Sequence, residues 1–132
     1  MKILIVEDDE LQRILLRKII EKHYRCEIFE ARNGIEGLRV VEDSQPDLIF
    51  LDIWMPILNG LNMLIRMKEK NLLGSVSVVV LSAITNREIA AQIIALGVND
   101  FLLKPLKNDQ VLERISKVIE NIKNKNQVIT AE

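Results

Sequence analysis

The chain has 132 residues, and its 18 basic residues almost balance its 19 acidic residues, for a formal net charge of −1. Apolar residues make up 48% of the sequence, which is enough to build the core of one domain and excludes a disordered chain. The balanced charge argues against direct binding to nucleic acid.

The first part of the chain alternates short apolar runs with segments of helical period. Apolar runs at residues 3–6 and 48–51 predict strands, and another strand is expected at about residues 27–30. Two helices are indicated by apolar residues at offsets of three and four: Leu11, Ile14, Leu15 and Ile19, and then Ile35 and Leu38 after the turn signal Asn33-Gly34.

The rest of the chain repeats this alternation. Strands are predicted at residues 78–81 and 101–103. Three more helices are indicated by their apolar residues. The third helix has Leu61, Leu64 and Ile65 after Asn59-Gly60, and the fourth has Ile89, Ile93 and Ile94. The last helix has Leu112, Ile115, Ile119 and Ile122, and Val111 and Val118 widen its apolar stripe. Asn86 is the predicted N-cap of the fourth helix, and Gly97 is its predicted stop.

Strands that alternate with helices in this way predict a doubly wound α/β fold with right-handed crossovers. The apolar runs are continuous, which is typical of parallel strands that are buried on both faces. We assign residues 1–122 to one domain. Residues 123–132 are polar and weakly patterned, so we interpret them as a C-terminal tail or the start of a linker.

Polar residues follow four of the predicted strands, and their chemistry differs from strand to strand. These residues are Glu7-Asp8-Asp9, Asp52, Ser82 and Lys104-Pro105. Ligands of open parallel sheets bind outside the carboxyl ends of the strands, where these side chains would meet. Carboxylates, a hydroxyl and an ammonium at one edge suit a site for a divalent cation and a phosphoryl group.

Five motifs occur in a fixed order along the chain. They are Ile-Leu-Ile-Val-Glu-Asp-Asp, Pro-Asp-Leu-Ile-Phe-Leu-Asp-Ile-Trp-Met-Pro, Gly60, Leu-Ser-Ala and Asp-Phe-Leu-Leu-Lys-Pro. Together, from Lys2 to about Ile122, they resemble the receiver domain of two-component response regulators, of the chemotaxis-regulator type. The resemblance implies a flavodoxin-like fold, with a five-stranded parallel sheet of order 2-1-3-4-5 flanked by five helices.

The resemblance also implies a phosphoacceptor and a metal site. Asp52 would be the nucleophile that takes a phosphoryl group from phosphohistidine. Glu7 and Asp8, with Asp52 and the backbone carbonyl of Trp54, would hold Mg²⁺, which favours a few carboxylates and retained water. Such a domain catalyses its own phosphorylation and slow dephosphorylation but is not an enzyme in the turnover sense.

Further roles follow from the same resemblance. Lys104 and Ser82 would contact phosphoryl oxygens, and the Lys104–Pro105 peptide bond is expected to be cis. Ser82 and Phe101 would form the conformational switch.

Two residues would set the lifetime of the phosphorylated state. Trp54 and Ile84 each lie two residues beyond a site residue, and both are bulky and apolar. Neither can orient a water by hydrogen bonding, so we predict a phosphorylated state that lasts minutes to hours.

The implied partners are a sensor histidine kinase or a phosphotransfer protein, and an effector or an output domain. A phosphorylation-linked homodimer through the fourth helix, the last strand and the last helix is also implied. No bilayer-spanning run and no signal peptide are evident, and a lone cysteine cannot form an internal disulfide, so we expect a cytoplasmic protein without membrane contact.

Other interpretations stay open at this point. Taken singly, each motif has a simpler interpretation. The acidic run is typical of a polar loop, and Asp52 alone could be a helix cap. Ser82 alone is typical of a turn, and Lys104-Pro105 is typical of the entry to a loop. As a whole, the fold also suits a flavin-binding module, although acids replace the phosphate-cradling loop after the first strand. A Mg²⁺-dependent phosphohydrolase or a receiver used only as a scaffold are further alternatives.

Four more polar residues are given structural roles. His23 is predicted to be a surface residue, and Asp9 a solvated loop acid. Asp47 and Asp100 are interpreted as turn and cap residues.

Overall fold

The computed structural model of the protein describes residues 1–83 and 86–131, with side chains described as far as residue 124. The strands are β1 (Lys2–Val6), β2 (Glu27–Ala31), β3 (Leu48–Asp52), β4 (Ser77–Ser82) and β5 (Asp100–Leu103). The helices are α1 (Glu10–His23), α2 (Gly34–Ser44), α3 (Gly60–Glu69), α4 (Arg87–Ala95) and α5 (Asn108–Ala131). The predicted alternation of strands and helices is confirmed.

All neighbouring strands pair in parallel, in the order β2-β1-β3-β4-β5. The predicted doubly wound sheet is therefore confirmed. In the register of the sheet, Asp52 faces Leu81 and Ser82 faces Leu103. The carboxyl ends of β3, β4 and β5 consequently lie side by side, and this edge carries the site described below.

Two layers of helices cover the sheet, because successive strand residues point to opposite faces. On one face, Leu4 and Val6 of β1 pack with buried residues of α2, α3 and α4. On the other face, Ile3 and Ile5 pack with buried residues of α1 and α5. The central strands β1, β3 and β4 are buried between the two layers, as their continuous apolar runs predict, whereas the edge strands β2 and β5 are partly exposed.

α1 is present as predicted, but its apolar stripe is not its buried face. Leu11, Ile14 and Leu15 are exposed, whereas Arg13, Leu16 and Ile20 are buried. The buried positions are three and four residues apart, so they form one face of the helix that excludes most of the stripe. Apolar spacing indicated the helix correctly but does not identify its buried face.

The ends of α4 agree with the sequence. The Asn86 side chain accepts hydrogen bonds from the backbone N–H groups of Glu88 and Ile89, which makes it the N-cap. Gly97 has φ of +96°, a conformation that glycine adopts readily, and it follows the last turn of the helix.

α5 continues to Ala131, past Ile122, which is the predicted end of the domain. The division into a domain and a tail at that residue stays a prediction. Within the described residues, none of the helices combines the length and the apolar character that crossing a bilayer requires.

Candidate functional site

The site lies at the carboxyl edge of the sheet, where four strand ends bring polar side chains together. Glu7 follows β1, Asp52 is the last residue of β3, Ser82 is the last residue of β4 and Lys104 follows β5. These residues are far apart in sequence, so the parallel topology is what assembles them. The strands β1, β3 and β4 behind Glu7, Asp52 and Ser82 are buried, whereas β5 before Lys104 is only partly buried.

Three carboxylates form the centre of the site. Glu7, Asp8 and Asp52 each offer an oxygen, and these oxygens lie within 4.8 Å of one another. Glu7 and Asp52 are buried, whereas Asp8 is exposed. Like charges this close in a poorly solvated cleft repel one another, so the cluster needs a cation or a proton.

Lys104 supplies part of the compensating charge. Its Nζ lies 3.1 Å from Oε1 of Glu7 and 3.3 Å from Oδ1 of Asp52. The side chain is mostly buried, so this ammonium is a fixed point charge between the two carboxylates. The Lys104–Pro105 bond is cis, the isomer that the resemblance implies.

One positive charge against three carboxylates leaves the cleft with excess negative charge. Burial, followed by the facing Asp52 carboxylate, raises the pKa of Glu7 to about 8, against the opposing effect of the Lys104 ammonium. This raised pKa favours the protonated form of Glu7 near neutral pH when no metal is bound.

The donor set fits a hard divalent cation. Three carboxylates converge, two of them buried and the third open to solvent, which leaves room for water ligands. A dication would also balance the charge that Lys104 leaves uncompensated. The acidic cluster is thus compatible with Mg²⁺.

Gly60 presses directly against the backbone of the candidate phosphoacceptor. A Cβ atom on Gly60 would lie 2.5 Å from the carbonyl oxygen of Asp52, which is too close for any side chain. The N–H of Gly60 also donates to the carbonyl of Ile53, at 2.8 Å. This contact explains why a glycine stands at the start of α3, and it fixes the loop after Asp52.

The loop between β3 and α3 forms an apolar rim of the cleft. Trp54 is half exposed, and Ile57 is 81% exposed with φ of +70°. A β-branched residue in this left-handed conformation costs about 1–2 kcal/mol. Large apolar side chains thus stand in solvent in the loop that follows Asp52.

A cavity of about 200 Å³ connects the end of β4 with the face formed by α4 and β5. It is lined by Ser82 and Phe101, and also by Trp54, Ile89, Ile94 and Leu103. Phe101 is half-buried, so its ring borders both the cavity and solvent. Ile84, the other predicted lifetime residue, lies outside the described residues.

Sequence reasoning missed Arg13, which is buried next to the acidic loop. Its Nη1 donates to the backbone carbonyl of Glu7, at 2.9 Å, and its Nε pairs with Glu30, at 3.2 Å. The available signal was its spacing of three and seven residues before Leu16 and Ile20, which puts all three on one helix face.

Other polar residues have the structural roles that were expected, with one correction. His23 is exposed, and Asp47 accepts the N–H of Lys2 in the loop before β3. Asp9 is an exposed loop acid, as predicted, and it also accepts the N–H of Gln12 as the N-cap of α1. Asp100 is not a cap; it begins β5 and pairs with Arg114, at 2.8 Å.

Known proteins resemble this chain over nearly its whole length. The family model "Response regulator receiver domain" matches residues 3–116. The chemotaxis protein CheY of Listeria monocytogenes is 32% identical over 117 residues, which cover 89% of this chain and 97% of that protein.

A second relative is much longer, and a solved structure has the same fold. A protein-glutamate methylesterase/protein-glutamine glutaminase of Rhodospirillum rubrum is 42% identical over 106 residues, which are 79% of this chain and 28% of that protein. The crystal structure of the N-terminal domain of an uncharacterized Wolinella succinogenes protein superposes with a TM-score of 0.87 at 38% identity, covering 95% of this chain and 98% of that one. By sequence, topology and site, this chain belongs to the receiver domain family of two-component response regulators.

Proposed function

We propose that this receiver domain accepts a phosphoryl group on Asp52 in a Mg²⁺-dependent reaction and then switches a partner or an output domain. The donor is the phosphohistidine of a sensor histidine kinase or of a phosphotransfer protein. The observation that carries the proposal is the cluster of Asp52, Glu7, Asp8 and Lys104 at one edge of the sheet.

The reaction is a direct phosphoryl transfer between two side chains. An oxygen of the Asp52 carboxylate attacks phosphorus, a P–O bond forms, and the P–N bond to the donor imidazole breaks. The imidazole nitrogen keeps the electron pair of that bond, and the product is an aspartyl phosphate. No oxidant or further reactant is needed.

The cleft must offset the negative charge that gathers when a carboxylate meets a phosphoryl group. Mg²⁺, held by Glu7, Asp8, Asp52 and the backbone carbonyl of Trp54, would supply most of this compensation. Lys104 already pairs with Asp52 and would follow the charge to a phosphoryl oxygen. Ser82 would donate its hydroxyl to a second phosphoryl oxygen.

Family membership also bears on the competing interpretations. Receiver domains are signalling domains without substrate turnover, which disfavours a phosphohydrolase. The loop after β1 carries acids where a flavin-binding module needs a phosphate-cradling loop. A receiver used only as a scaffold would not need to keep carboxylates and a lysine together at this edge.

The first test is the mass of the intact protein after incubation with acetyl phosphate and Mg²⁺. The wild type should gain one phosphoryl group, and Asp52→Asn should gain none, because its amide is not a nucleophile. Asp43→Asn is the matched control, since Asp43 is an exposed aspartate of α2, and it should behave as the wild type does. Chelation of Mg²⁺ should prevent the gain.

Chemical lability separates the proposed adduct from other phosphorylated side chains. An aspartyl phosphate is cleaved by hydroxylamine, whereas a serine or threonine phosphate is not. An adduct that forms equally on Asp52→Asn, or that resists hydroxylamine, would contradict the proposal. A wild type that gains no phosphoryl group would favour the scaffold role.

We also propose that the phosphorylated state is long-lived, lasting minutes to hours. Trp54 is half exposed and lines the same cavity as Ser82, and its bulky indole has no hydrogen-bond acceptor that could orient an attacking water. Ile84 is proposed to act in the same way. Trp54→Asn should shorten the lifetime, measured as loss of the phosphoryl mass after donor removal; decay of the wild type within seconds would refute the idea.

The proposed output surface is formed by α4, β5 and α5. When Ser82 moves toward the phosphoryl group, the Phe101 ring is expected to turn into the cavity that both residues line. Ile94 and Leu103 are large exposed apolar residues on this surface, so they could contact an effector or a second copy of the chain.

Two variants test this switch separately from phosphorylation. Phe101→Ala should accept the phosphoryl group normally but lose the response of the partner or of the oligomeric state. Leu103→Lys should prevent phosphorylation-linked dimerisation, measured by light scattering with and without acetyl phosphate. Unchanged coupling in Phe101→Ala would mean that the aromatic switch does not operate here.

A further inference from the structure

Arg13 is a buried charged residue of α1 that the proposed phosphoryl transfer does not use. It is 6% exposed and lies on the helix face that packs against the sheet. Burial of a guanidinium is unfavourable unless it is paired and hydrogen-bonded. The contacts of Arg13 therefore indicate what this charge does.

The first contact of Arg13 is with the backbone of a candidate metal ligand. Nη1 donates to the carbonyl oxygen of Glu7, at 2.9 Å, in a buried hydrogen bond. The N–H of Glu7 donates to the carbonyl of Ala31 at the end of β2, at 3.0 Å. Both backbone polar groups of Glu7 are thus held, one by the sheet and one by Arg13.

The guanidinium is itself held from the opposite side. Glu30 of β2 accepts from Nε of Arg13 at 3.2 Å and from Nη1 of Arg17 at 2.8 Å. Each carboxylate oxygen of Glu30 thus has its own arginine. This arrangement joins α1 to β2 and restricts the Arg13 side chain to the orientation that reaches Glu7.

We propose that Arg13 is a positioning residue that fixes Glu7 as a metal ligand, an inference that rests on the proposed Mg²⁺ site. Glu7 is the first residue after β1; its N–H still binds the sheet, whereas its carbonyl accepts from Arg13. Without Arg13, the carbonyl of Glu7 loses a buried donor, and the start of the acidic loop becomes free to reorient. Partners that orient metal ligands typically contribute 10–100-fold to metal affinity.

The test is equilibrium binding of Mg²⁺ to the whole chain, followed by the fluorescence of Trp54, the single tryptophan. Arg13→Gln should weaken binding by about tenfold or more. Arg13→Lys keeps the charge but offers a single donor group. Its affinity for Mg²⁺ should therefore lie between those of the wild type and Arg13→Gln. Arg17→Gln removes the half-exposed outer arginine but leaves the bond between Glu30 and Arg13, so it should bind Mg²⁺ almost as the wild type does.

A stability control separates positioning from a loss of packing. Leu16→Ala removes a buried side chain from the same helix face without touching Glu7, so it should lower the urea midpoint and leave Mg²⁺ affinity unchanged. If Arg13→Gln does not fold, Glu30→Gln keeps Arg13 but removes the charge that holds it, and it should weaken binding several-fold. The inference would be overturned if Arg13→Gln, or Glu30→Gln where Arg13→Gln does not fold, bound Mg²⁺ with wild-type affinity. It would also be overturned if Leu16→Ala lost as much Mg²⁺ affinity as that variant. A wild type that binds no Mg²⁺ would overturn the proposed metal site itself, and the inference with it.

Discussion

α1 and α5 cover the same face of the sheet, but they bury different kinds of side chain. α5 buries three aliphatic residues, Val111, Ile115 and Val118. α1 buries Leu16 and Ile20 but gives its first buried position to Arg13. The half of α1 nearest the cleft therefore carries polar contacts to the acidic loop, whereas α5 packs mainly against the core.

The exposed faces of the two helices differ as well. α1 exposes three large apolar residues in its first half, Leu11, Ile14 and Leu15. The apolar residues of the described part of α5 are buried or half-buried. Two helices of the same layer thus have different roles: α5 stabilises the core, and α1 also supports the site.

The largest effect expected from this difference is at the centre of α5. Ile115 is fully buried, so Ile115→Ala should lower the free energy of unfolding by about 2–5 kcal/mol, because it removes apolar contacts and leaves a cavity. Urea unfolding monitored by circular dichroism measures the loss. A change below about 1 kcal/mol would mean that α5 is not the main core helix of this face.

The next effect is a pH dependence of stability that comes from Glu7, the residue that Arg13 of α1 contacts. The pKa of Glu7 is about 8 in the folded protein and near its ordinary value in the unfolded chain. Between those values the folded state holds a proton that the unfolded state has lost, so stability should fall as pH rises, by at most about 1.4 kcal/mol per pH unit. Below the ordinary pKa of a glutamate, this contribution is fully present.

Glu7→Gln provides the matched control, because its amide does not titrate. We would measure urea unfolding of both proteins from pH 5 to pH 8 in the presence of a chelator. The free energy of unfolding of the wild type should fall relative to that of Glu7→Gln as pH rises. Mg²⁺ needs the ionised carboxylate, so its binding should release a proton and strengthen as pH rises. A difference that is flat or rises with pH would show that Glu7 is ionised in the metal-free cleft.

The positions of the site residues could be predicted because topology determines them. Once the apolar runs are parallel strands, Glu7, Asp52 and Ser82 must lie at one edge, whatever the helices do. Asn86 could be predicted for a similar reason, because an N-cap depends on a few neighbouring residues.

The buried face of α1 could not be predicted in this way. Apolar spacing indicated a helix, but the choice between Leu15 and Leu16 as the core residue depends on how the helix rotates against the sheet. That rotation is coupled to Arg13, whose burial requires a carboxylate from β2 and a carbonyl after β1. Such partners are distant in sequence, so no local pattern reveals them.

A smaller effect is expected at the start of α1. Asp9 caps this helix by accepting the N–H of Gln12, at 3.0 Å. Asp9→Ala should cost about 1 kcal/mol of stability, whereas Asp9→Asn should stay within a few tenths, because asparagine caps equally well. A matching loss in Asp9→Asn would show that the charge of Asp9, rather than its capping bond, stabilises the helix.

The smallest effect should come from Leu11, the first apolar residue of the stripe that indicated α1 in the sequence. Leu11 is 65% exposed in the first turn of the helix, so its side chain has little apolar contact to lose. Leu11→Gln should therefore change the free energy of unfolding by no more than about 0.5 kcal/mol, measured by urea unfolding beside Leu16→Ala. A loss of 2 kcal/mol or more in Leu11→Gln, with little loss in Leu16→Ala, would mean that α1 is rotated to bury its apolar stripe. Arg13 would then turn away from Glu7, so this modest stability measurement also tests the geometry on which the positioning role of Arg13 depends.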